Sequence, residues 1–289
     1  MSFRTVMVSR RCKLDYRMNY IEIRGDDTKK ILLDEIDTLI IENPAISITG
    51  SLMSALIDKK IAVIFCDSKH NPQFELTSLY GSHDCSRKIK KQIQWDECFK
   101  GKVWAEIVRE KIRKQSELLL ENGLNQEAEL LNSYVGQVQH KDETNREGHA
   151  AKVYFNALFG MKFTRSDEIP TNAALNYGYA LILSMFNREV VINGYLTQIG
   201  LFHDNIYNQF NLSSDLMEPF RSIVDRFVFD AGYLKFESNE KHEMLNIFNT
   251  ELRINKTTQS LNNCIKIYVK SIFDALNEED LSLLSFYEL

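Results

Sequence analysis

The 289-residue chain has an ordinary globular composition, in which 44% of the residues are hydrophobic, 26% are charged and the net charge is −5. This balance excludes an intrinsically disordered chain, and the acidic net charge excludes a protein that binds nucleic acid through a uniformly basic surface. The length suits one large domain or two smaller ones. Because the chain has only four prolines and twelve glycines, we expect long helices over much of it.

The first seventy or so residues predict a small β domain. Residues 13–20, KLDYRMNY, alternate apolar with polar side chains, which is the period of a half-buried strand, and Gly25 ends this run. The helical spacing of Leu52, Ala55 and Leu56 predicts one helix in this region. Three short β-branched or continuously apolar runs predict further strands, namely DTLIIEN (37–43), AISITG (45–50) and IAVIFCD (61–67).

The composition changes after this region. Asn71-Pro72, Gly81 and several polar residues predict a linker at 76–92, between a domain at 1–75 and a second domain at 93–289. In the second domain, apolar residues recur at helical spacing throughout. We therefore expect an α+β protein, with a small β domain followed by a larger all-α domain. Its helices are expected at 104–123, 125–138, 144–159, 171–186, 188–202, 214–231 and 257–277.

The cysteines and the apolar segments bear on the cellular compartment. Five cysteines are scattered without any C-x-x-C pair, which predicts free thiols in a reducing compartment, and we expect the cytoplasm. The most apolar segment, 174–202, is interrupted by Asn187, Arg188 and Glu189. Charged side chains are costly in a bilayer core, so no membrane span is expected.

One stretch of the chain is basic although the whole chain is acidic. Between Ser86 and Lys114 there are ten Lys and Arg residues and four Asp and Glu residues, a local net charge of +6. Such a stretch can bind phosphates, or it can be the solvated face of a helix, and charge alone leaves both readings open.

The segment TNREGHAAKVYFNALFG (144–160) has an acid on an inward helix face. Glu147 shares its face with Ala150, Ala151 and Tyr154, which let another helix approach closely. An inward acid needs a partner. The alternative is a capping box, because Thr144-x-x-Glu147 has the spacing at which the acid reaches back to a backbone N–H.

Two further segments each contain a candidate ligand. His203 ends the apolar run YLTQIGLFH, where it can equally be a partner of the helix dipole. In SSDLMEPFRSIVDRF (213–227), Ser214 or Asp215 can cap a helix whose first turns tolerate a proline. Asp215 and Glu218 then repel at i, i+3 unless a cation lies between them. A salt-bridge cluster with Arg221 and Arg226 is the alternative to a bound ion.

Together the three segments provide two carboxylates and one imidazole. Such an oxygen-rich set suits magnesium or manganese better than structural zinc, and it suits phosphodiester chemistry. The sequence contains no P-loop, G-x-G-x-x-G, G-x-S-x-G or H-E-x-x-H motif, so nucleotide-cofactor and serine-hydrolase readings have no support.

The second domain contains four distinctive motifs, namely NREGHAAKVYFNALFG, TNAALNYGYALILSMFNREVV, GLFHDNIYNQFN and DLMEPFRSIVD. These motifs resemble the CRISPR-associated integrase family that acquires new spacers, the universal adaptation nuclease of those systems. FRTVMVSRRCKLDYRMNYIEIR and YGSHDCSRK are similar to the compact form found in subtype II-A loci. The resemblance runs over nearly the whole chain, and its motifs occur in the family's order.

The resemblance implies an N-terminal β-sandwich and a C-terminal helical catalytic domain. It also implies a homodimer that flanks a small ferredoxin-like adaptation subunit, with other subtype II-A adaptation proteins as further partners. Glu147, His203 and Glu218 match the family's ligands for Mg²⁺ or Mn²⁺. The activity implied is that of a metal-dependent DNA endonuclease and integrase, in which a spacer 3′-hydroxyl attacks a phosphodiester of the double-stranded repeat DNA.

Two further expectations concern DNA contacts and an alternative function. Arg221 and the lysines of the basic stretch, Lys88, Lys90 and Lys91, are candidate DNA contacts by charge and position only. A non-catalytic scaffold, with the acids in salt bridges and the histidine in a cap, is the competing reading of the same residues.

Overall fold

The computed structural model describes residues 4–79 and 81–288, so Phe3 and Tyr80, which belong to two of the quoted motifs, lie outside the described residues. The chain divides into two compact units at the Ser82/His83 boundary. A strand-rich N-terminal region is followed by a mainly helical region, which confirms the predicted mixture of strands and helices and their order.

The N-terminal unit consists mostly of short strands. Among its described residues, the strands are β1 (Arg4–Val8), β2 (Lys13–Arg17), β3 (Tyr20–Arg24), β4 (Thr28–Leu32), β5 (Ile36–Ile41), β6 (Ser47–Ile48), β7 (Ala62–Cys66) and β8 (Pro72–Glu75), and the helix is α1 (Gly50–Asp58). A short 3-10 turn, Leu33–Glu35, joins β4 to β5. The predicted helix and the predicted apolar strand therefore correspond to α1 and β7.

These strands form two sheets that share a hydrophobic core. One sheet has the order β1-β5-β7-β8, with β8 antiparallel to β7 and the other pairs parallel. The other has the order β4-β3-β2-β6, an antiparallel meander with β6 parallel to β2. Leu39 of the first sheet and Leu14 and Ile21 of the second lie in one buried cluster with Leu52 and Leu56 of α1. Apolar burial from both sheets and the helix therefore stabilises this unit.

The alternating run at 13–20 is a hairpin rather than one strand, which corrects the sequence prediction. Met18 and Asn19 both have positive φ, 48° and 66°, and they form the turn between β2 and β3. Two consecutive left-handed residues suit a tight hairpin because their twist matches that of the paired strands. The turn lacks the usual glycine, so the sequence pattern did not show it.

The second unit is built mainly from helices. Among its described residues, the α-helices are α2 (Cys85–Ile93), α3 (Glu97–Glu121), α4 (Asn125–Val135), α5 (Arg146–Phe159), α6 (Pro170–Ile192), α7 (Asn211–Leu216), α8 (Arg221–Ala231), α9 (Ser238–Met244) and α10 (Leu261–Glu278), and the strands are β9 (Glu251–Ile254) and β10 (Thr257–Ser260). Short 3-10 turns lie at His140–Asp142, Glu218–Phe220, Leu245–Asn249 and Leu281–Leu283.

The predicted all-α character of this unit is wrong, because β9 and β10 pair as an antiparallel hairpin. Asn255 and Lys256 form the turn with φ of 49° and 65°. Leu252 and Ile254 of β9 are buried whereas their neighbours are exposed, which is the period of a strand. The last long helix therefore begins at Leu261 instead of residue 257.

Two helix boundaries near the candidate site also differ from the prediction. The helices expected at 171–186 and 188–202 are one helix, α6, which ends at Ile192, and residues 193–210 form neither helix nor strand. The helix expected at 214–231 is interrupted by the 3-10 turn at Glu218–Phe220, with α7 before it and α8 after it.

Helix α2 occupies the second half of the predicted linker. Within the second unit, this helix is held by hydrogen bonds of the Gln92 amide. Gln92 Nε2 donates to the carbonyls of Leu196 and Ile199 at 2.9 and 3.2 Å, and Leu196 N donates to Gln92 Oε1 at 2.9 Å. The buried side chain of this helix is the amide Gln92, so a search for apolar residues at helical spacing did not identify it. Among the described residues, no helix is long and apolar enough to cross a membrane.

Candidate active site

Glu147 and Glu218, two of the three predicted ligands, meet at the side chain of Lys111. Lys111 Nζ, on α3, lies 2.5 Å from Glu147 Oε1 and 2.5 Å from Glu218 Oε2. Arg221 Nε donates to the other oxygen of Glu218 at 2.9 Å. The two carboxylates therefore converge on one positive charge, although they come from α5 and from the turn between α7 and α8.

The start of α5 leaves the side chain of Glu147 available for this contact. Asn145 caps the helix, and its side chain accepts from Gly148 N at 3.2 Å. Asp142 accepts from the backbone N–H groups of Arg146 and Glu147, both at 2.9 Å. Two other residues thus satisfy the free N–H groups of the first turn, and the capping-box reading of Glu147 is wrong.

His203 lies in the irregular loop 193–210 and not at the end of a helix, which overturns the helix-dipole reading. Its Nδ1 and its backbone N both bond Asp215 Oδ1, the latter at 3.3 Å. The other oxygen of Asp215 accepts from Leu201 N at 2.7 Å and from Phe202 N at 3.0 Å. One buried carboxylate therefore fixes both the loop and the imidazole, and it leaves Nε2 as the ring nitrogen for a ligand.

Gly200 makes this loop possible. A Cβ at position 200 would lie 2.4 Å from the carbonyl oxygen of His203 and 2.8 Å from Asp215 Oδ2. The first atom is backbone of the residue that carries the imidazole, and the second belongs to the carboxylate that fixes it, so neither can move aside without disturbing the imidazole. The glycine in GLFH is thus required by the close approach of the loop to Asp215.

Asp215 and Glu218 do not share a cation, which corrects the reading from their i, i+3 spacing. Asp215 faces the His203 loop, while Glu218 faces Lys111 and Arg221. Nor does Asp215 cap a helix, because α7 begins earlier, at Asn211. The salt-bridge alternative is correct for Arg221 and wrong for Arg226, which pairs with Glu121 at 2.6 Å.

The charges of the site shift one another's pKa values. The hydrogen bond that the imidazole donates to Asp215 raises the pKa of His203 above its ordinary value, and the charges of Glu218 and Glu147 raise it further. Burial raises the pKa of Asp215. Burial would also raise the pKa of Glu218, but the charges of Lys111 and Arg221 outweigh it and hold that pKa well below its usual range. The imidazole and both glutamates therefore interact electrostatically.

Lys111 is the residue at the centre of the site that the sequence reasoning missed. Burial would lower its pKa, but Glu218 and Glu147 outweigh this effect and keep the ammonium charged. The helical spacing of the sequence predicts that Lys111 lies on a buried face. Lys111 shares this face of α3 with Trp104, Val108 and Gln115, and the first two are fully buried. A lysine on an apolar stripe predicts a buried anionic partner.

The described part of the chain has no ready-made metal-binding group. Within residues 4–79 and 81–288, no three His, Cys, Asp or Glu side chains are grouped so that they could hold a metal ion. Glu147 and Glu218 instead each contact the ammonium of Lys111.

A pocket of about 250 Å³ adjoins Lys111 and Glu218, and Arg165 and Arg221 line it. Both guanidinium groups lie over the ring of Tyr179, 5.4 and 4.7 Å from its centroid. The carboxylate of Asp225, which also lines the pocket, accepts from the hydroxyls of Tyr154 and Tyr179, and burial raises its pKa to about 6. The pocket thus has two arginines beside the site, of which only Arg221 was predicted.

A model of the family of CRISPR associated protein Cas1 matches residues 6–253. The chain belongs to this family. A CRISPR-associated endonuclease Cas1 from Neisseria meningitidis serogroup C is 34% identical over 241 residues, which are 82% of this chain and 79% of that protein. These matches confirm the family resemblance, while the subtype II-A assignment stays a prediction.

Two solved structures have a similar fold. A chain of a Cas6-RT-Cas1–Cas2 complex has a TM-score of 0.75 at 19% identity over 97% of this chain, which spans 36% of that longer chain. A casposase bound to an integration product has a TM-score of 0.75 at 16% identity, over 97% of this chain and 92% of the casposase. At sequence identities this low, the similarity to these two structures shows a shared fold only.

The basic stretch is less basic in the structure than in the sequence. On α3, Lys100, Arg109, Arg113 and Lys114 each pair with an acid three or four residues away on the same helix. On α2, Arg87 and Lys88 pair with Asp84. Lys90 and Lys91 are exposed on α2. Lys100 and Lys114 are also buried, so the solvated-face reading is wrong for these two residues, and α2 is left as the candidate DNA contact.

Proposed function

We propose that the chain is a metal-dependent DNA endonuclease and integrase that inserts new spacers into a CRISPR array. The observation that carries this proposal is the convergence of two carboxylates, from separate elements, on one cation beside an imidazole that Asp215 orients. Family membership and the similar fold of a casposase bound to an integration product support it.

Glu147, His203 and Glu218 would hold Mg²⁺ or Mn²⁺. The donor set fits, because two carboxylates and one neutral imidazole suit a hard divalent ion, and both glutamates already share one cation. Lys111 has to withdraw from between them for the ion to bind both. When bound, the ion polarises the phosphodiester and stabilises the charge that develops on its oxygens.

The surrounding residues would orient the DNA. Arg165 and Arg221 line the pocket beside Glu218, where guanidinium groups can hold the phosphates next to the reacting one. In strand transfer, the spacer 3′-oxygen forms a new bond to phosphorus, and the bond from phosphorus to the repeat's 3′-oxygen breaks. The incoming hydroxyl loses its proton, the departing oxygen gains one, and the enzyme forms no covalent intermediate.

The remaining features of the resemblance are part of this proposal. We propose a β-sandwich at 1–75, a connecting segment at 76–92 and a catalytic domain at 93–289; the shared core of the two N-terminal sheets supports the first. We also propose a homodimer that acts in the cytoplasm on double-stranded spacer and repeat DNA with a small ferredoxin-like subunit and other subtype II-A proteins.

Metal-dependent cleavage of branched DNA tests this function. We expect the wild type to cleave with Mg²⁺ or Mn²⁺ and to stop when EDTA is added. Glu147→Gln should be slower by more than about 100-fold, since even groups that only support a metal ligand are worth about 10–100-fold. A purified chain that binds DNA but never cleaves it with either metal is the outcome expected of a scaffold whose acids serve only as salt bridges.

Helix α2 gives a prediction about DNA binding. Replacing Lys88, Lys90 and Lys91 together by glutamine should weaken binding to unrelated DNA sequences alike. The slope of log K against log salt should flatten by about one unit per lost phosphate contact. Binding titrations at several salt concentrations measure the slope. Lys266→Gln with Lys270→Gln, two exposed lysines of α10, is the control. An unchanged slope in the α2 variant would mean that the lysines of α2 form a solvated helix face and contact no phosphate.

A further inference from the structure

Residues 284–288, which we call the strap, cross three separate elements of the second unit. Ser285 N donates to Ser271 Oγ of α10 at 3.0 Å. Glu288 pairs with Arg253 of β9 through two backbone hydrogen bonds of 2.9 and 2.7 Å. Between these anchors, Tyr287 reaches the turn that contains Glu218. The family match ends at residue 253, so the strap lies outside it.

Tyr287 is buried against this turn, with 1% of its surface exposed. Its hydroxyl donates to the carbonyl of Pro219 at 2.9 Å and lies 3.1 Å from Ser222 Oγ. Its ring packs 4.6 Å from the ring of Phe220, and Lys114 Nζ lies 4.8 Å from its centroid. Burial raises the pKa of Tyr287, so the hydroxyl stays protonated and remains a donor.

A hydrogen bond to the carbonyl of Pro219 can fix the backbone next to Glu218. Pro219 has no N–H, so at this residue the backbone can be held only through its carbonyl. The residue before it is Glu218, and the turn Glu218–Phe220 is a single 3-10 turn between two α-helices. Tyr287 and Ser222 both reach the carbonyl, the latter at 3.2 Å. Side-chain hydroxyls therefore fix a turn that lies outside continuous α-helix.

Helix α3 links the strap to the site. Lys111 contacts Glu218, and Lys114, at i+3 on the same helix, lies over the ring of Tyr287. Cationic side chains thus hold the turn through the carboxylate of Glu218. The hydroxyl of Tyr287 holds it through the carbonyl of Pro219. A metal ligand has to be held within about 0.5 Å of its working position by such supporting contacts.

We infer that Tyr287 is a positioning residue that fixes Glu218 for metal binding through the carbonyl of Pro219. This inference rests on the proposed function, because it assigns Glu218 to the ion. Removing the hydroxyl while keeping the ring should weaken metal binding, and it should change the fold and DNA binding little.

Manganese binding by Tyr287→Phe, measured calorimetrically on the full chain without DNA, tests this inference. We expect the Kd for Mn²⁺ to rise about 10-fold, the size typical of losing a group that orients a ligand. The Mn²⁺ concentration for half-maximal DNA cleavage should rise with it, and saturating Mn²⁺ should restore most of the rate. Ser222→Ala, which removes the second hydroxyl on the same carbonyl, should give a smaller rise in Kd.

Tyr268→Phe is the matched control. Tyr268 is fully buried in the same aromatic group, 5.2 Å from the ring of Phe220. Its hydroxyl has no hydrogen-bond partner among the described residues, so its removal should leave the Kd unchanged. If Tyr287→Phe and Ser222→Ala bind Mn²⁺ as the wild type does, Tyr287 only fills the core and the inference fails alone. If the folded wild type itself binds no Mn²⁺, the proposed function fails with it.

Discussion

Replacement of His203 by alanine is expected to reduce strand transfer by more than about 100-fold while the fold and DNA binding stay nearly intact. The imidazole is a ligand in the proposed site, and its contribution to packing is small because 42% of its side chain is exposed. DNA binding arises from phosphate contacts over a wide surface, whereas the chemistry depends on one ion. Glu218→Ala should have an equally large effect on strand transfer, since it removes an acid that converges on the same cation.

The measurement is integration of a labelled spacer into a plasmid that contains the repeat, with Mg²⁺ or Mn²⁺. Circular dichroism and DNA titration establish that each variant is folded and binds. His149→Ala is the matched control, because His149 is exposed on α5 two residues from Glu147. Integration at the wild-type rate by folded His203→Ala would mean that the imidazole is no ligand and that Asp215 holds it for structural reasons alone.

Periodicity predicted the elements that bury apolar side chains and missed those that polar groups hold. Strand β7 and helix α1 bury apolar residues at regular spacing, and both were predicted. The backbone of the His203 loop is instead fixed by Gln92, 104 residues from its partner Leu196, and by Asp215, 14 residues from its partner Leu201. Hydrogen bonds to a distant loop leave no period in the sequence, so His203 was assigned to a helix that ends eleven residues earlier, at Ile192.

The i, i+3 spacing of Asp215 and Glu218 led to the wrong prediction of a shared cation for a related reason. Residues at i, i+3 are neighbours only on a continuous helix. The chain changes from α-helix to a 3-10 turn at Glu218, with Pro219 next, so the two side chains diverge to different partners. The sequence drew attention to both acids, but their separate roles depend on the course of the backbone between them.

Other features could have been read from the sequence. Much of the positive charge on α3 is paired with acids at i±3 or i±4, as between Glu106 and Arg109, and this spacing is visible in the sequence. The alternation in ELRI, before the turn at Asn255, is likewise a visible strand signal. Lys111 was the most informative omission, because a lysine on the buried face of a long helix needs an anion, and the two candidate acids were already identified.

Replacement of Lys111 by methionine is expected to destabilise the metal-free protein by about 3 kcal/mol, the lower end of the cost of removing one partner from a buried ion pair. Glu218, with 5% of its side chain exposed, would lose one of its two cationic partners and keep Arg221. For a unit of this size the loss corresponds to a fall in Tm of about 6–12 °C. Thermal unfolding in EDTA measures it.

Manganese should then stabilise the Lys111→Met protein more than the wild type. In the wild type the ion has to displace an ammonium that lies 2.5 Å from both carboxylates, whereas in the variant the two acids repel each other and nothing competes for them. Lys114→Met is the matched control: Lys114 is also buried on α3 and pairs with Glu110 and Glu117, which lie outside the proposed site. Its loss should lower Tm without increasing the response to Mn²⁺. An equal rise in Tm with Mn²⁺ for the wild type and Lys111→Met would mean that the ion and the lysine do not share a position, and Glu147 and Glu218 would then be salt-bridge partners rather than ligands.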